Sequence, residues 1–153
     1  MNRRRIFSRF FNQITKERND IFCMAKVSPK QTGLPTRLYL DDNGTYYGGG
    51  HWKRIKFQHD KDIIDGRDWC PMDFNSVIHN PGKKFKIKLS EHDINEIKVF
   101  VQNNLYALNI LCDNQDFYVT DFLKVMIPGG EPATAEQIEE QKIKTDEIIK
   151  NLE

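Results

Sequence analysis

The sequence predicts an α+β fold, in which a small curled antiparallel sheet of two hairpins is covered by one long helix, with helical extensions at both termini. Alternating apolar and polar residues come first along the chain, and apolar residues at three- and four-residue steps follow after position 90. Strands followed by a helix are typical of an α+β domain rather than of repeated βαβ units. The length of 153 residues and the 39% of apolar residues are sufficient for one hydrophobic core.

Composition argues against several classes of protein. The 23 basic and 22 acidic side chains nearly balance, which argues against a disordered chain and against a uniformly basic nucleic-acid binder. Three cysteines without CxxC spacing indicate reduced thiols, so we expect a cytoplasmic protein, or a virion component if a phage encodes it. No apolar run approaches the roughly 20 residues of a membrane-spanning helix, and we expect no membrane span.

Residues 1–23 are predicted to form a basic amphipathic arm. Within the first 20 residues, six basic side chains accompany only two acidic ones. The apolar residues recur at spacings that would place them on one face of a short helix. Such an arm either docks on its own domain or lies on nucleic acid, on an anionic lipid surface or on an acidic neighbouring subunit. The apolar face contains Phe7, Phe10, Phe11 and Ile14, and the basic residues include Arg3, Arg4 and Arg5.

Residues 24–127 are predicted to be the α+β core domain, which begins with the first hairpin. The stretch KVSPKQTGLPTRLYL is interpreted as a loop leading into a strand, where Leu38 and Leu40 face the same way. The Asn-Gly pair in DDNG favours a type I′ turn. The return strand passes three glycines, which mark a bend, and resumes as HWKRIKFQ, where Ile55 and Phe57 alternate with charged residues.

A second hairpin is predicted from FNSVIH through the turn NPGK to KFKIKL. Successive side chains of a strand point to opposite faces. The alternation in KFKIKL therefore predicts that Phe85, Ile87 and Leu89 point to the core, while the intervening lysines point to the solvent.

The long helix is predicted to begin after the N-cap candidate Ser90 and to end at Asp113-Asn114. Its apolar residues recur at three- and four-residue steps along about six turns. The following stretch FYVTDFLKVMI is predicted to be a short strand or helix that completes the core. The apolar stripe of the long helix contains Ile94, Ile97, Val101, Leu105, Leu108 and Cys112.

Residues 128–133 are predicted to be a linker, and residues 134–153 to be an acidic C-terminal helix. Thr134 and Gln137 fit a capping box, and seven-residue spacings beyond them form a weak heptad stripe. A helix this polar is not stable alone and requires a surface on which to lie. The residues of this stripe that we predict to bind protein are Ile138, Ile149 and Leu152.

No motif predicts a catalytic, metal or cofactor site. A phosphate-binding loop leads from a strand into a helix, whereas the glycines at 48–50 precede a strand-like stretch. His51, His59 and Cys70 have no spacing that is typical of zinc ligands. Cys112 lies on the apolar stripe, where a thiol is inert, and the sequence places no histidine beside Cys70. We therefore expect no metal, no cofactor and no enzymatic activity.

The strongest positive signal is a basic sheet face with aromatic residues near it. Basic residues alternate with core residues in two predicted strands, so they could share one side of the sheet. With a tyrosine or Trp52 beside it, such a face can bind nucleic acid, while a solvated lysine stripe that prevents aggregation is the alternative. The basic residues are Arg54, Lys56, Lys84, Lys86 and Lys88.

The segments AKVSPKQTGLPTRLYL and RIKFQ, taken with VFVQNNLYALNILCDN, resemble a family of small uncharacterised bacterial proteins. Members open with a VSPK-x-TGLP motif, continue through an RIKV-like strand and close with a helix that ends at an Asp-Gly turn. The resemblance covers residues 25–127, and Cys112 stands where the family has an aromatic residue. It implies a compact α+β domain and assigns no activity and no catalytic residue.

These observations predict a non-enzymatic protein-interaction protein. Because the family-like part begins after Met24, the basic arm and the acidic helix are additions to a core, and such additions are suited to holding neighbouring chains. We therefore predict a subunit of a larger assembly, such as a phage particle. The alternative prediction is a nucleic-acid-binding protein that uses the arginines of the arm and the basic sheet face.

Overall fold

The structure, a computed structural model, describes residues 24–41, 52–62 and 69–153. It confirms the α+β class, because a four-stranded antiparallel sheet is combined with helices. The predicted arm, including Phe7, Phe10, Phe11 and its arginines, lies outside the described residues. So do residues 42–44 of the predicted DDNG turn and the three glycines, while Asp41 of that turn ends the second strand. The division into arm, core, linker and helix remains a prediction.

Four short strands are paired in chain order. β1 (Met24–Val27), β2 (Leu38–Asp41), β3 (Arg54–Phe57) and β4 (Cys70–Asp73) form the sheet β1-β2-β3-β4, with every neighbouring pair antiparallel. The sequence prediction of a loop before residue 37 missed β1. The predicted alternation in β2 and β3 is confirmed, because the residues that are fully buried there are Leu38, Leu40, Ile55 and Phe57.

The VSPK-x-TGLP segment contains a single helical turn, α1 (Pro29–Thr32), which the sequence prediction also missed. Ser28 and Gln31 form a complete capping box at its start, with Pro29 at the first helical position. Gly33 ends the turn with a φ of 75°, a left-handed conformation that costs glycine little. Ser28, Pro29 and Gly33 of the motif therefore have local structural roles in this turn.

The prediction of a second hairpin through residues 84–89 is wrong. Ile78 makes only an isolated bridge with Met72, and residues 84–89 form no strand. The side chain of Asn80 instead bonds both the N–H and the carbonyl of Phe85, at 2.9 Å each, in place of a strand partner. The alternation still holds, because the half-buried residues are Phe85, Ile87 and Leu89, and the exposed ones are Lys84, Lys86 and Lys88.

The predicted single long helix is two helices, α2 (Glu91–Asn103) and α3 (Leu105–Asp113). They are separated at Asn104, whose φ of −110° and ψ of 15° are not helical. Ser90 is confirmed as the N-cap of α2, since its side chain accepts a hydrogen bond from the backbone N–H of Asp93 at 3.0 Å. At this break the Asn104 side chain bonds the N–H of Ile127 and the side chain of Gln141.

Two further helices complete the chain, α4 (Val119–Val125) and α5 (Ala135–Leu152). The predicted capping box of α5 is confirmed, with Thr134 accepting from Gln137 and the Gln137 side chain accepting from Thr134. Strand residues and residues of α2, α3 and α4 form one hydrophobic core. Its largest fully buried side chains include Phe57, Phe100, Phe117, Phe122, Met72 and Ile97.

Candidate interaction surfaces

The C-terminal helix α5 docks on its own chain, against α3 and α4. Its fully buried residues are polar, Gln141 and Thr145, at 2% and 0% exposure. The hydroxyl of Thr145 bonds the carbonyl of Gln141 at 2.7 Å, which satisfies it within the helix. Ile149 is half-buried against the core. The surface that this polar helix was expected to require is therefore provided by the same chain.

A buried amide network at the break between α2 and α3 connects α5 to the core. The Asn104 side chain accepts hydrogen bonds from the N–H of Ile127 at 2.7 Å and from the Gln141 amide at 2.6 Å. It donates to the carbonyls of Phe100 and Ile127, at 2.9 Å each. The oxygen of the Gln141 side chain is buried and accepts no hydrogen bond from the part of the chain that the structure describes. Asn104 thus joins the end of α2, the chain after α4 and the middle of α5.

The predicted linker at 128–133 has no helix or strand and is fixed by hydrogen bonds. The Asn103 side chain donates to the carbonyl of Glu131 at 2.7 Å and accepts from the N–H of Ala133 at 2.9 Å. The N–H of Gly129 donates to the carbonyl of Thr32 at 2.7 Å. These bonds fix the position at which α5 begins.

Two of the predicted protein-binding residues lie at the ends of the docked stripe. Ile138 and Leu152 are 40% and 41% exposed. They share one side of α5 with Thr145, because steps of seven residues return to nearly the same face of a helix. Ile149, the third predicted residue on this helix, packs on the core instead. The docked face of α5 therefore has exposed apolar residues at both ends.

On the opposite face of α5, acidic side chains surround one exposed isoleucine, Ile143. Ile143 is 51% exposed and lies about 160° around the helix from the buried Gln141 and Thr145. Side chains three and four positions away are its neighbours on the helix surface. In this chain those four neighbours are all acidic and exposed: Glu139, Glu140, Asp146 and Glu147.

A second contact between α3 and α5 is made by Tyr106, whose hydroxyl donates a hydrogen bond to Asp146. The ammonium of Lys142 lies 5.5 Å from the centre of the Tyr106 ring. The bond to Asp146, and next its burial, raise the pKa of Tyr106 above its usual range. The folded protein therefore holds the phenolic proton more tightly than the unfolded chain does.

We expect the contribution of Tyr106 to stability to be complete below the ordinary tyrosine pKa of about 10 and to be lost as the pH rises through the raised, folded-state value. The thermal midpoints of wild type and Tyr106→Phe, measured between pH 8 and 11, should therefore converge with increasing pH. Tyr118→Phe at the half-exposed Tyr118 is the control. A constant difference up to pH 11 would contradict the proposed proton linkage.

The basic residues predicted to form one face belong to two differently structured segments. Lys84, Lys86 and Lys88 are exposed on the irregular segment, and Lys88 pairs with Asp60 at 3.5 Å. Arg54 and Lys56 are half-buried in β3. The two segments meet at His59, whose backbone carbonyl accepts a hydrogen bond from the N–H of Lys88 at 2.8 Å.

An ordered aromatic patch lies at the other end of β3, and the sequence prediction did not identify it as a unit. Trp52 is 42% exposed, its ring centre lies 4.3 Å from that of His79, and the guanidinium of Arg54 lies 5.2 Å from the Trp52 ring. Asp73 fixes His79 by a 2.8 Å contact to its Nε2. Val77, in the turn held by the same carboxylate, is 51% exposed. Tryptophan and arginine are residue types that frequently dominate protein interfaces.

The candidate chemical residues Cys70, Cys112 and His59 are all buried. Burial raises the pKa of the Cys70 thiol to about 11, which disfavours the nucleophilic thiolate, and Cys112 is also buried. His59 is buried with its Nδ1 2.9 Å from the carbonyl of Lys86. Among the described residues, the Nε2 of His59 has no hydrogen-bond partner.

One group of potential metal ligands occurs in the part of the chain that the structure describes. Ligand atoms of His92, Asp93 and Glu96 lie within 4.8 Å of one another on the first turns of α2. Asp93 is already paired with the ammonium of Lys61 at 3.1 Å. A cation would have to displace this ammonium, and we assign no metal to the group.

No protein-family model, curated protein or solved structure matches this chain. The resemblance of residues 25–127 to the VSPK-x-TGLP proteins therefore remains a prediction. Within the described ranges, none of the helices combines the length and the apolar character needed to cross a membrane.

Proposed function

We propose that this chain is a non-enzymatic protein-interaction protein and a subunit of a larger assembly, such as a phage particle. In this proposal its terminal extensions hold neighbouring chains in the cytoplasm or in the virion. The arm contributes Phe7, Phe10 and Phe11, and the C-terminal helix contributes its apolar residues.

The observation that supports this proposal most directly is the way in which α5 distributes its apolar residues. The positions buried at the centre of the docked face are polar, whereas Ile138 and Leu152 at its two ends are about two-fifths exposed. Ile149 contributes to attaching the helix to its own core. Because folding already holds this helix in place, a partner that binds its exposed apolar ends would lose little additional conformational entropy.

The test is the mass of the full chain by light scattering after size-exclusion chromatography, over a range of concentrations. We expect a multiple of 18.0 kDa without excess absorbance at 260 nm. Ile138→Asp combined with Leu152→Asp should weaken the association at least about tenfold, because burying a charge opposes apolar contact. Phe10→Ala with Phe11→Ala should also weaken it.

Asn95→Asp combined with Gln115→Asp is the matched control, because it places the same two charges at exposed positions outside α5. It should leave the mass unchanged. A chain that is monomeric at every concentration would contradict assembly with itself. An oligomer that is unaffected by both the α5 and the arm variants would contradict the role of the extensions.

The alternative function, nucleic-acid binding, is favoured by one observation, the outward direction of Lys84, Lys86 and Lys88. A monomer that retains absorbance at 260 nm would favour it. Neutralising about five phosphates makes affinity fall steeply between low and physiological salt, whereas apolar anchoring depends little on salt. The salt dependence of binding therefore separates the two functions.

A further inference from the structure

We propose that the acidic outer face of α5, centred on Ile143, is the docking surface for the basic N-terminal arm, residues 1–23, of a second copy of this chain. This inference rests on the proposed assembly function and names its partner. It differs from the contacts proposed above, because it uses the face of α5 that is turned away from the helix's own core.

The first argument is the pattern of charge on α5. Ile143 is surrounded at all four neighbouring helical positions by acidic side chains, and it is one of the most exposed large apolar residues that the structure describes. Glu140 is paired with Lys144 at 2.8 Å, and Asp146 is bonded to Tyr106. Among the described residues, no lysine, arginine or histidine forms an ion pair with Glu139 or Glu147. These carboxylates lie on both sides of Ile143, so a cationic partner that covers this isoleucine would also contact acidic groups.

The second argument is the composition of the arm. Its first 20 residues carry six basic and two acidic side chains, and its phenylalanines are interspersed with arginines. An amphipathic segment of this kind fits a surface with an apolar centre and an acidic rim. The 18 residues of α5 are about 27 Å long, which is enough surface for a segment of several turns. The arm and the acidic face are therefore complementary in charge, and both contain apolar residues.

The third argument concerns how copies would join. Each chain carries one arm and one acidic face, so two chains can exchange arms reciprocally, or each can hold the next in a ring or filament. The linker hydrogen bonds of Asn103 fix the start of α5, and thus the acidic face is presented at a defined place on each core. A preorganised surface lowers the entropic cost of binding the arm.

The decisive experiment places a photoreactive phenylalanine analogue at position 143 of the full chain and irradiates a mixture of unlabelled and ¹⁵N-labelled copies. We expect a covalent dimer in which residue 143 of one isotope is joined to residues 1–23 of the other. The matched control carries the same analogue at position 118, because Tyr118 is 50% exposed, close to the 51% of Ile143, and lies outside α5. It should give no cross-link to residues 1–23.

A charge exchange tests the chemistry independently. Glu139→Lys with Glu147→Lys should weaken self-association at least about tenfold, as should Arg4→Glu with Arg5→Glu, and mixing the two variants should restore it. Asp116→Lys with Glu131→Lys changes the same number of exposed charges elsewhere and should have no such effect.

The outcomes separate the two proposals. An oligomer whose residue 143 fails to cross-link to residues 1–23 would overturn this inference and leave the assembly function standing. A cross-link that joins residue 143 to the arm of the same copy would also overturn it. A chain that remains monomeric at every concentration would overturn this inference together with the assembly of the chain with itself.

Discussion

Replacing Asn104 by alanine is expected to lower the free energy of unfolding by about 4 kcal/mol, because one buried and one half-buried donor lose their acceptor at about 2 kcal/mol each. The donors are the N–H of Ile127 and the side-chain amide of Gln141, which both bond the Asn104 oxygen. Asn104 is completely buried, so water cannot replace it without entering the core. Chemical denaturation followed by circular dichroism measures the change.

Asn95→Ala is the matched control, since Asn95 is exposed on α2 and should change stability by less than about 0.5 kcal/mol. If Asn104→Ala destabilises no more than this control, the amide network does not hold the C-terminal segment. Because the network also includes Gln141, the exchange of backbone amides in α5 should accelerate in Asn104→Ala more than exchange in the sheet.

The parts of the fold that the sequence predicted are those governed by local chemistry. The capping residues Ser90 and Thr134 bond backbone groups only three residues away, so the local sequence is sufficient to identify them as caps. Ile55 and Phe57 alternate with charged residues, and the two-residue period of a strand is enough to predict that they face the core. The structure confirms that both are buried.

The features that the sequence did not predict depend on distant partners. The apolar spacing continues from Val101 to Leu105 without interruption, so nothing local marks the break at Asn104, which is bonded to residues 23 and 37 positions away. The alternation in residues 84–89 correctly predicted which side chains face inward. It could not show that Asn80, rather than a strand, would bond the backbone of Phe85.

The candidate surfaces show the same division. Ile138 and Leu152 are about two-fifths exposed, whereas Ile149 packs on the core because α5 lies against α3 and α4. The acidic surroundings of Ile143 were readable from i±3 and i±4 spacings. Only the docked orientation of α5 shows that this face is turned outward.

The linker provides the second large expected effect, at Gly130. A Cβ atom added there would lie 2.5 Å from the Cα of Glu96 in α2, a distance that non-bonded carbon atoms do not adopt. We expect Gly130→Ala to cost about 3 kcal/mol, the upper part of the range for overpacking, because the obstructing atoms include backbone that cannot rotate away. Chemical denaturation measures this change.

Two companion variants identify the cause of the loss at Gly130. Glu131→Ala changes an exposed side chain in the same linker and should have an effect below about 0.5 kcal/mol, because only the carbonyl of Glu131 bonds Asn103. Glu96→Ala should not rescue Gly130→Ala, since alanine retains both the Cα and the Cβ that obstruct the new methyl group. Rescue by Glu96→Ala would show that the flexible part of the side chain is the obstacle. Failure of rescue, together with faster amide exchange in α5, would show that close contact between the linker and α2 holds the C-terminal helix in place.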